Sequence, residues 1–71
     1  MKSTDAIQLI VAEFGRQAKE EPRFSSPEDG FSAISCAMHA LAYAPDDEKE
    51  VVKEAAVTVA ATAMRFLVDC V

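Results

Sequence analysis

Residues 55–64 read AAVTVAATAM, an uncharged run of alanine, valine, threonine and methionine that decides the fold. Apolar residues recur around it at three- and four-residue steps, which predicts a helix from about residue 47 to 70. A surface helix of a monomer carries charges on one face, and this run has none over about three turns. We therefore predict that a second chain covers the side that its own chain leaves bare. The predicted core face of this helix is Val52, Ala56, Val59, Ala63, Phe66 and Cys70.

A first helix is predicted from about residue 4 to 19, where apolar residues again recur at helical steps. Ser3, Thr4 and Asp5 are its candidate N-caps. Glycine inside a helix costs about 1 kcal/mol relative to alanine, and we expect Gly15 to mark a close contact with another helix. The predicted apolar face is Ile7, Ile10, Val11, Phe14 and Ala18.

A middle helix is predicted from about residue 27 to 44, with Ser26 as N-cap and Pro27 at the first helical position. Gly30 leaves open a later start, and Pro45 ends the helix. One face carries large apolar residues, and the other faces carry mostly small residues in place of charges, so no solvent side is evident.

Acidic residues introduce the third helix, where they suit the positive end of the helix dipole. Asp46, Asp47 and Glu48 are interpreted as cap and first-turn residues. Asp47 and Glu50 stand at the separation of a capping box, with aspartate in place of the usual serine or threonine.

The expected fold is therefore all-α, with three helices at about residues 4–19, 27–44 and 47–70 in a single domain over residues 1–71. A chain of this length buries only roughly 60% of the surface that its unfolded form exposes. We expect a homo-oligomer, a dimer or tetramer, in which a second copy completes a four-helix type of bundle. The residues predicted to form the oligomer interface are Phe31, Ile34, Met38, Leu41, Val52, Ala56, Val59, Ala60, Ala63 and Phe66.

Charge and cysteine content narrow the range of partners. Twelve acidic and seven basic residues give a formal charge of −5, which opposes binding to nucleic acid and to anionic membranes. No segment is an apolar block long enough to span a bilayer. The two cysteines show no paired spacing and no signal peptide is evident, so we expect reduced thiols and a cytoplasmic protein.

Cys36 and His39 share a predicted helix face, and both residue types ligate soft cations. Histidine can also activate a thiol. The alternative is that Cys36 is a small core residue and His39 a half-buried polar residue, because no third ligand lies within sequence reach.

Glu50 and Glu54 lie one turn apart and can present two carboxylates to one magnesium ion. The neighbouring Lys49 and Lys53 favour instead an ordinary solvated face. The sequence has no phosphate-binding glycine loop and no serine–histidine–acid set. We therefore assign no catalytic residue.

Three segments carry a family resemblance: IQLIVAEFGRQ at residues 7–17, DGFSAI at residues 29–34 and KEAAVTVAATAMRFL at residues 53–67. Together they resemble small phage and bacterial members of the all-α NTP pyrophosphohydrolase superfamily, the MazG-like proteins, over most of residues 6–68. The resemblance implies a helical dimer or tetramer. It also implies magnesium-dependent hydrolysis of nucleoside triphosphates to the monophosphate and pyrophosphate.

The chain departs from that family where the metal would bind. The glutamate cluster of the family's second helix falls on ISCAMHAL, residues 34–41, which has no carboxylate. Glu54 matches the first acid of the third helix, but the next acidic position falls near Val57 or Thr58. One glutamate cannot supply the several oxygen ligands that magnesium needs.

These observations predict a non-catalytic oligomeric helical protein of phage or mobile-element type, acting as a protein-interaction or degenerate nucleotide-binding module without a cofactor. The alternative is a working magnesium-dependent NTP pyrophosphohydrolase that uses Glu50, Glu54 and acids from elsewhere in the chain, such as Glu20 or Glu21. A redox or metal sensor built on Cys36 and His39 is a third hypothesis.

Overall fold

The computed structural model describes residues 1–71 and contains three helices and no strand. These are α1 (Ser3–Glu20), α2 (Pro27–Ala42) and α3 (Lys49–Cys70). The predicted all-α class and the three helices are confirmed, with bounds that differ from the prediction by no more than two residues. None of the helices contains a stretch long and apolar enough to cross a membrane.

The start of α2 follows its sequence signals. The Ser26 side chain accepts a hydrogen bond from the Asp29 backbone N–H at 3.1 Å, and Pro27 occupies the first turn. The Asp29 carboxylate in turn accepts from the Ser25 N–H at 3.1 Å. These paired bonds satisfy backbone donors that the first turn leaves free, so the helix begins at Pro27 and Gly30 does not delay it.

The predicted caps of α1 were wrong, because Lys2 is its N-cap. Glu48, one of the acids predicted to introduce α3, is the N-cap of that helix, but neither the Lys2 nor the Glu48 side chain makes a capping hydrogen bond. Before α3 the chain forms a tight turn through Asp46 and Asp47, closed by a hydrogen bond from the Glu48 N–H to the Pro45 carbonyl at 3.1 Å. Aspartate favours such turns, and this turn delays the helix to Lys49, so the expected capping box does not form.

Helix α3 lies in the middle of the fold and packs against both α1 and α2, which do not contact each other. Helix α1 runs parallel to α3, because Leu9 lies near Glu54 and Gln17 meets Thr62. Helix α2 runs antiparallel to α3, because Gly30 lies against Phe66. The result is a layer of helices of 36 × 25 × 19 Å with an open groove between α1 and α2.

The buried residues differ from the predicted core. Only five of the 71 residues are buried, and they are Gln17, Gly30, Ala61, Thr62 and Arg65. The predicted core face of α3 is confirmed only in part, because five of its six residues are half-buried but Ala56 is exposed, and the buried positions lie on another side of the helix. That side carries the polar contacts of Arg65 described below, and the large apolar side chains of α3 remain partly or fully exposed.

Helix α1 also packs with a face rotated from the predicted one. Ile10 and Phe14 are half-buried, but Ile7 and Val11 are exposed. A Cβ atom added to Gly15 would meet nothing within 4 Å, so the close contact expected there does not occur within the chain.

Candidate functional site

A buried polar network fixes α1 and the following loop against α3. The Arg65 guanidinium donates hydrogen bonds to Gln17 Oε1 at 3.1 Å, to Glu21 Oε1 at 3.0 Å and to the Pro22 carbonyl at 3.1 Å. Its Cζ atom lies 4.1 Å from the centre of the Phe24 ring, a cation–π distance. The guanidinium therefore has partners on several sides, which is the condition for burying a charge.

The rest of this loop is attached to the end of α3 by Asp69. The Asp69 carboxylate accepts from Arg23 Nε and from the Phe24 N–H, both at 3.2 Å. Near the same end, Cys70 Sγ lies 3.6 Å from the Ser26 carbonyl. The segment between α1 and α2 is thus held by side chains of α3, and it sets the angle at which α2 returns along α3.

One side of the helix layer is an open groove, which we call the polar groove because polar side chains form its floor and one of its walls. Its floor is formed by Thr58, Thr62 and Arg65 of α3, and it has a volume of about 340 Å³. Its walls are Arg16, Gln17 and Glu21 from the α1 side and Ala33, Cys36 and Ala37 from α2. A second cleft of about 470 Å³ lies further along between α1 and α3.

The opposite side of the layer is apolar, and we call it the back face. On α3, Ala56, Ala60, Ala63 and Leu67 recur at helical spacing about half a turn away from the groove floor. Leu67 is 62% exposed. The flanking helices continue this surface, because Phe31 is 67% and Ile7 58% exposed on the sides of α2 and α1 that point away from the groove. The back face is defined as Ile7, Val11, Phe31, Met38, Ala56, Ala60, Ala63 and Leu67.

The charges of α3 beyond Lys53 all lie elsewhere. Glu54 lines the second cleft and Arg65 lies in the polar groove. Asp69 is engaged with Arg23 and Phe24. Lys49 and Lys53 lie on the back-face side near the N-terminal end of α3, where Glu50 pairs with Lys53 at 2.9 Å.

The total exposed area agrees with an uncovered surface. The chain exposes 5087 Å², whereas a folded monomer of 7.7 kDa is expected to expose about 4,300 Å². The excess is about 750 Å², close to the roughly 800 Å² that each partner buries in a standard protein interface. Large exposed apolar patches on proteins mark interaction sites.

The predicted interface residues all keep some exposed surface, since none is among the five buried residues. Phe31, Met38, Ala56, Ala60 and Ala63 belong to the back face. The other five are half-buried, and helical periodicity places them along the contact between α2 and α3 that Gly30 and Phe66 mark. This row of residues, which packs α2 on α3 within the chain, is Ile34, Leu41, Val52, Val59 and Phe66.

The two candidate metal ligands of α3 lie in different surroundings. Glu50 pairs with Lys53 at 2.9 Å on the surface. Glu54 lines the second cleft beside Glu13 and Arg16. No group of three or more histidine, cysteine, aspartate or glutamate side chains is placed to hold a metal ion. Because magnesium requires several oxygen ligands, this donor set does not fit it.

The Glu13 carboxylate in the second cleft is held by cationic and amide donors. The hydrogen bonds from Arg16 at 2.7 and 2.9 Å lower the pKa of Glu13 to about 2, against the effect of its partial burial, and Gln17 adds a further bond at 2.9 Å. Arg16 also pairs with Glu20 at 2.7 Å. Glu13 therefore remains ionised at neutral pH as part of a surface ion-pair cluster.

Cys36 and His39 do not form a pair. Cys36 is exposed on the wall of the polar groove. The His39 ring lies 4.6 Å from the Tyr43 ring, tilted by 36°. No hydrogen bond joins Cys36 to His39, and neither belongs to a cluster of potential metal ligands.

The buried network around Arg65 was not predicted from the sequence, although the sequence contains a signal for it. Arg65 is the only charged residue between Glu54 and Asp69. A single arginine in an apolar helical run needs partners from other elements, and Gln17 and Glu21 supply them.

Comparison of the chain with protein-family models, with curated proteins and with solved structures finds no match. The resemblance to MazG-like proteins therefore stays a prediction that depends on the residues quoted for it.

Proposed function

We propose that this protein is a non-catalytic, oligomeric interaction module that acts in the cytoplasm through its back face. The observation that carries the proposal is the exposed apolar surface on all three helices, opposite the polar groove. With five buried residues, the chain has a small core of its own. Covering the back face removes apolar area from water, which is the main favourable term in association.

A pair of matched substitutions on α3 tests this proposal. Ala60→Glu places a charge at the centre of the back face, whereas Val51→Glu places the same charge at an exposed apolar position on the groove side. We expect the Ala60 variant to dissociate at concentrations where the wild type and the Val51 variant remain associated, because burial of an unpaired carboxylate is unfavourable.

Light scattering coupled to size-exclusion chromatography measures the mass of each variant, and circular dichroism checks that each remains helical. An unchanged mass for a folded Ala60 variant would contradict the proposal. Equal dissociation of both variants would show that added negative charge acts on the whole chain and not on the back face.

We infer that magnesium-dependent hydrolysis of nucleoside triphosphates is not the function. The inference is supported by the surroundings of Glu54, whose nearest acidic neighbour in the cleft, Glu13, is already bound by Arg16 and Gln17. Pyrophosphate release from a panel of nucleoside triphosphates with magnesium is the assay. Turnover that Glu54→Gln abolishes would restore the alternative of a working pyrophosphohydrolase.

A further inference from the structure

We propose that the partner of the back face is a second copy of this chain, packed so that the two α3 helices run antiparallel and cross at Ala60. This proposal rests on the proposed function and adds to it the identity and the orientation of the partner. Three features of the chain support it: the charges at the ends of α3, the size of the side chains along it and the area left exposed.

The C-terminal end of α3 lacks a basic residue of its own helix. The last turn contains none, although the C-terminal end of a helix dipole favours cations. At the other end of the helix, Lys49 and Lys53 lie on the back-face side, next to the first-turn acid Glu50, which pairs with Lys53 at 2.9 Å. An antiparallel copy brings the lysines of each α3 beside the C-terminal end of the other α3.

The register follows from the size of the side chains. On the back-face side of α3, three alanines lie between Lys53 and Leu67, and the middle one is Ala60. Crossing there places Lys53 of one copy opposite Leu67 of the other. Around the crossing point, Ala56, Ala60 and Ala63 carry the smallest side chains, which allows the two backbones to approach to about 8 Å.

The two copies in this arrangement are related by a two-fold axis, and the second copy also covers the exposed sides of α1 and α2. With α3 antiparallel and the back faces together, α2 of one copy lies beside α2 of the other, and α1 lies beside α1. Phe31 and Met38 are then shielded by the second copy, as are Ile7 and Val11. Such an interface is isologous and closes at two subunits. The chain as a whole exposes about 750 Å² more than a compact monomer of its mass, close to the roughly 800 Å² that each partner buries in a standard interface.

Disulfide trapping tests the orientation. In a background with Cys36→Ser and Cys70→Ser, single cysteines are introduced as Ala60→Cys, Lys53→Cys, Leu67→Cys and Val51→Cys. Antiparallel packing centred on Ala60 separates the two Lys53 positions by about 21 Å along the axis, at a rise of 1.5 Å per residue. A disulfide requires Cα atoms within about 7 Å.

Under mild oxidation, we expect the Ala60→Cys protein to link to itself at least tenfold faster than the Lys53→Cys or Val51→Cys proteins. Mixing the Lys53→Cys and Leu67→Cys proteins should restore rapid linking between the two. Val51 lies off the back face and reports random collisions.

The outcomes separate this inference from the proposed function. Self-linking of Lys53→Cys as fast as that of Ala60→Cys would indicate parallel helices and overturn the inference. A protein that sediments as an oligomer without linking at Ala60 would overturn the inference and leave the proposed function standing. A cysteine-free background that sediments as a monomer, like the wild type, would overturn both.

Discussion

Replacement of Arg65 by methionine is expected to destabilise the fold far more than the same replacement of Arg16. Both arginines have several polar partners, and the ion pairs of Arg16, at 2.7 Å to Glu13 and to Glu20, are shorter than the 3.0 Å pair of Arg65 with Glu21. The difference lies in burial, because the Arg65 side chain is 5% exposed and that of Arg16 is 49% exposed. Surface ion pairs contribute about 0–1 kcal/mol, since water and salt screen them.

The magnitude for Arg65 follows from what its partners lose. Methionine keeps the apolar stem but removes the donors to Gln17, Glu21 and Pro22 and the contact with the Phe24 ring. Glu21 is half-exposed and regains water, whereas the buried Gln17 oxygen retains only the Thr62 hydroxyl at 3.4 Å. We expect a loss of about 2–4 kcal/mol for Arg65→Met. The total free energy of unfolding expected for a chain of this length is about 4–10 kcal/mol.

Urea unfolding followed by circular dichroism, at one fixed protein concentration, measures both variants, because the stability of an oligomer depends on concentration. Arg65→Lys tests whether charge alone is sufficient. One ammonium group cannot match the hydrogen bonds of the planar guanidinium, so we expect Arg65→Lys to lose most of the free energy of unfolding that Arg65→Met loses. Equal losses for Arg65→Met and Arg16→Met, or an Arg65→Met variant as stable as the wild type, would refute the argument from burial.

Three further substitutions test local features. Gly30→Ala should lower the free energy of unfolding by about 1–2 kcal/mol despite the better helix propensity of alanine, because the new Cβ would lie 2.6 Å from the Phe66 ring. Thermal unfolding measures this loss, and a variant more stable than the wild type would contradict the close packing. Ser26→Ala should cost about 1 kcal/mol through loss of the N-cap bond to Asp29, with the exposed Ser35→Ala as a control that should not destabilise. Because the pKa of Glu13 is lowered from 4.5 to about 2, the ionised carboxylate stabilises the fold at pH values above 4.5, and this contribution is lost as the pH falls towards about 2. The melting temperature of Glu13→Gln should therefore fall less between pH 6 and pH 2 than that of the wild type. Parallel curves of melting temperature against pH for the two proteins would contradict the assignment.

The sequence was sufficient for the helices but not for the face that each helix buries. Turn and cap residues such as Ser26 and Pro45 act locally, so the positions of the three helices could be predicted closely. The packing faces depend on contacts between elements. The prediction placed the core of α3 on the row that includes Val59 and Phe66, which is half-buried, whereas the fully buried side is that of Ala61 and Thr62, where Arg65 meets its polar partners.

The exposed apolar surface was predicted in part for the same reason. The absence of charge from residues 55–64 led to the prediction of a second chain, which stays a prediction, and five of the ten predicted interface residues lie on the back face. The rest, including Ile34 and Phe66, lie in the row between α2 and α3, because one apolar stripe looks alike in sequence whether its partner is within the chain or outside it. The flanking positions on α1, Ile7 and Val11, were expected in the core of the chain and are exposed.

Sedimentation equilibrium of the unmodified protein over a wide range of concentrations tests the central claim most directly. If the back face is covered by another copy, the measured mass at micromolar concentration is a multiple of 7.7 kDa, about 15 kDa for the antiparallel dimer, and it falls towards 7.7 kDa only on dilution. A mass of 7.7 kDa at every concentration, for a chain that circular dichroism shows to be folded, would contradict the account.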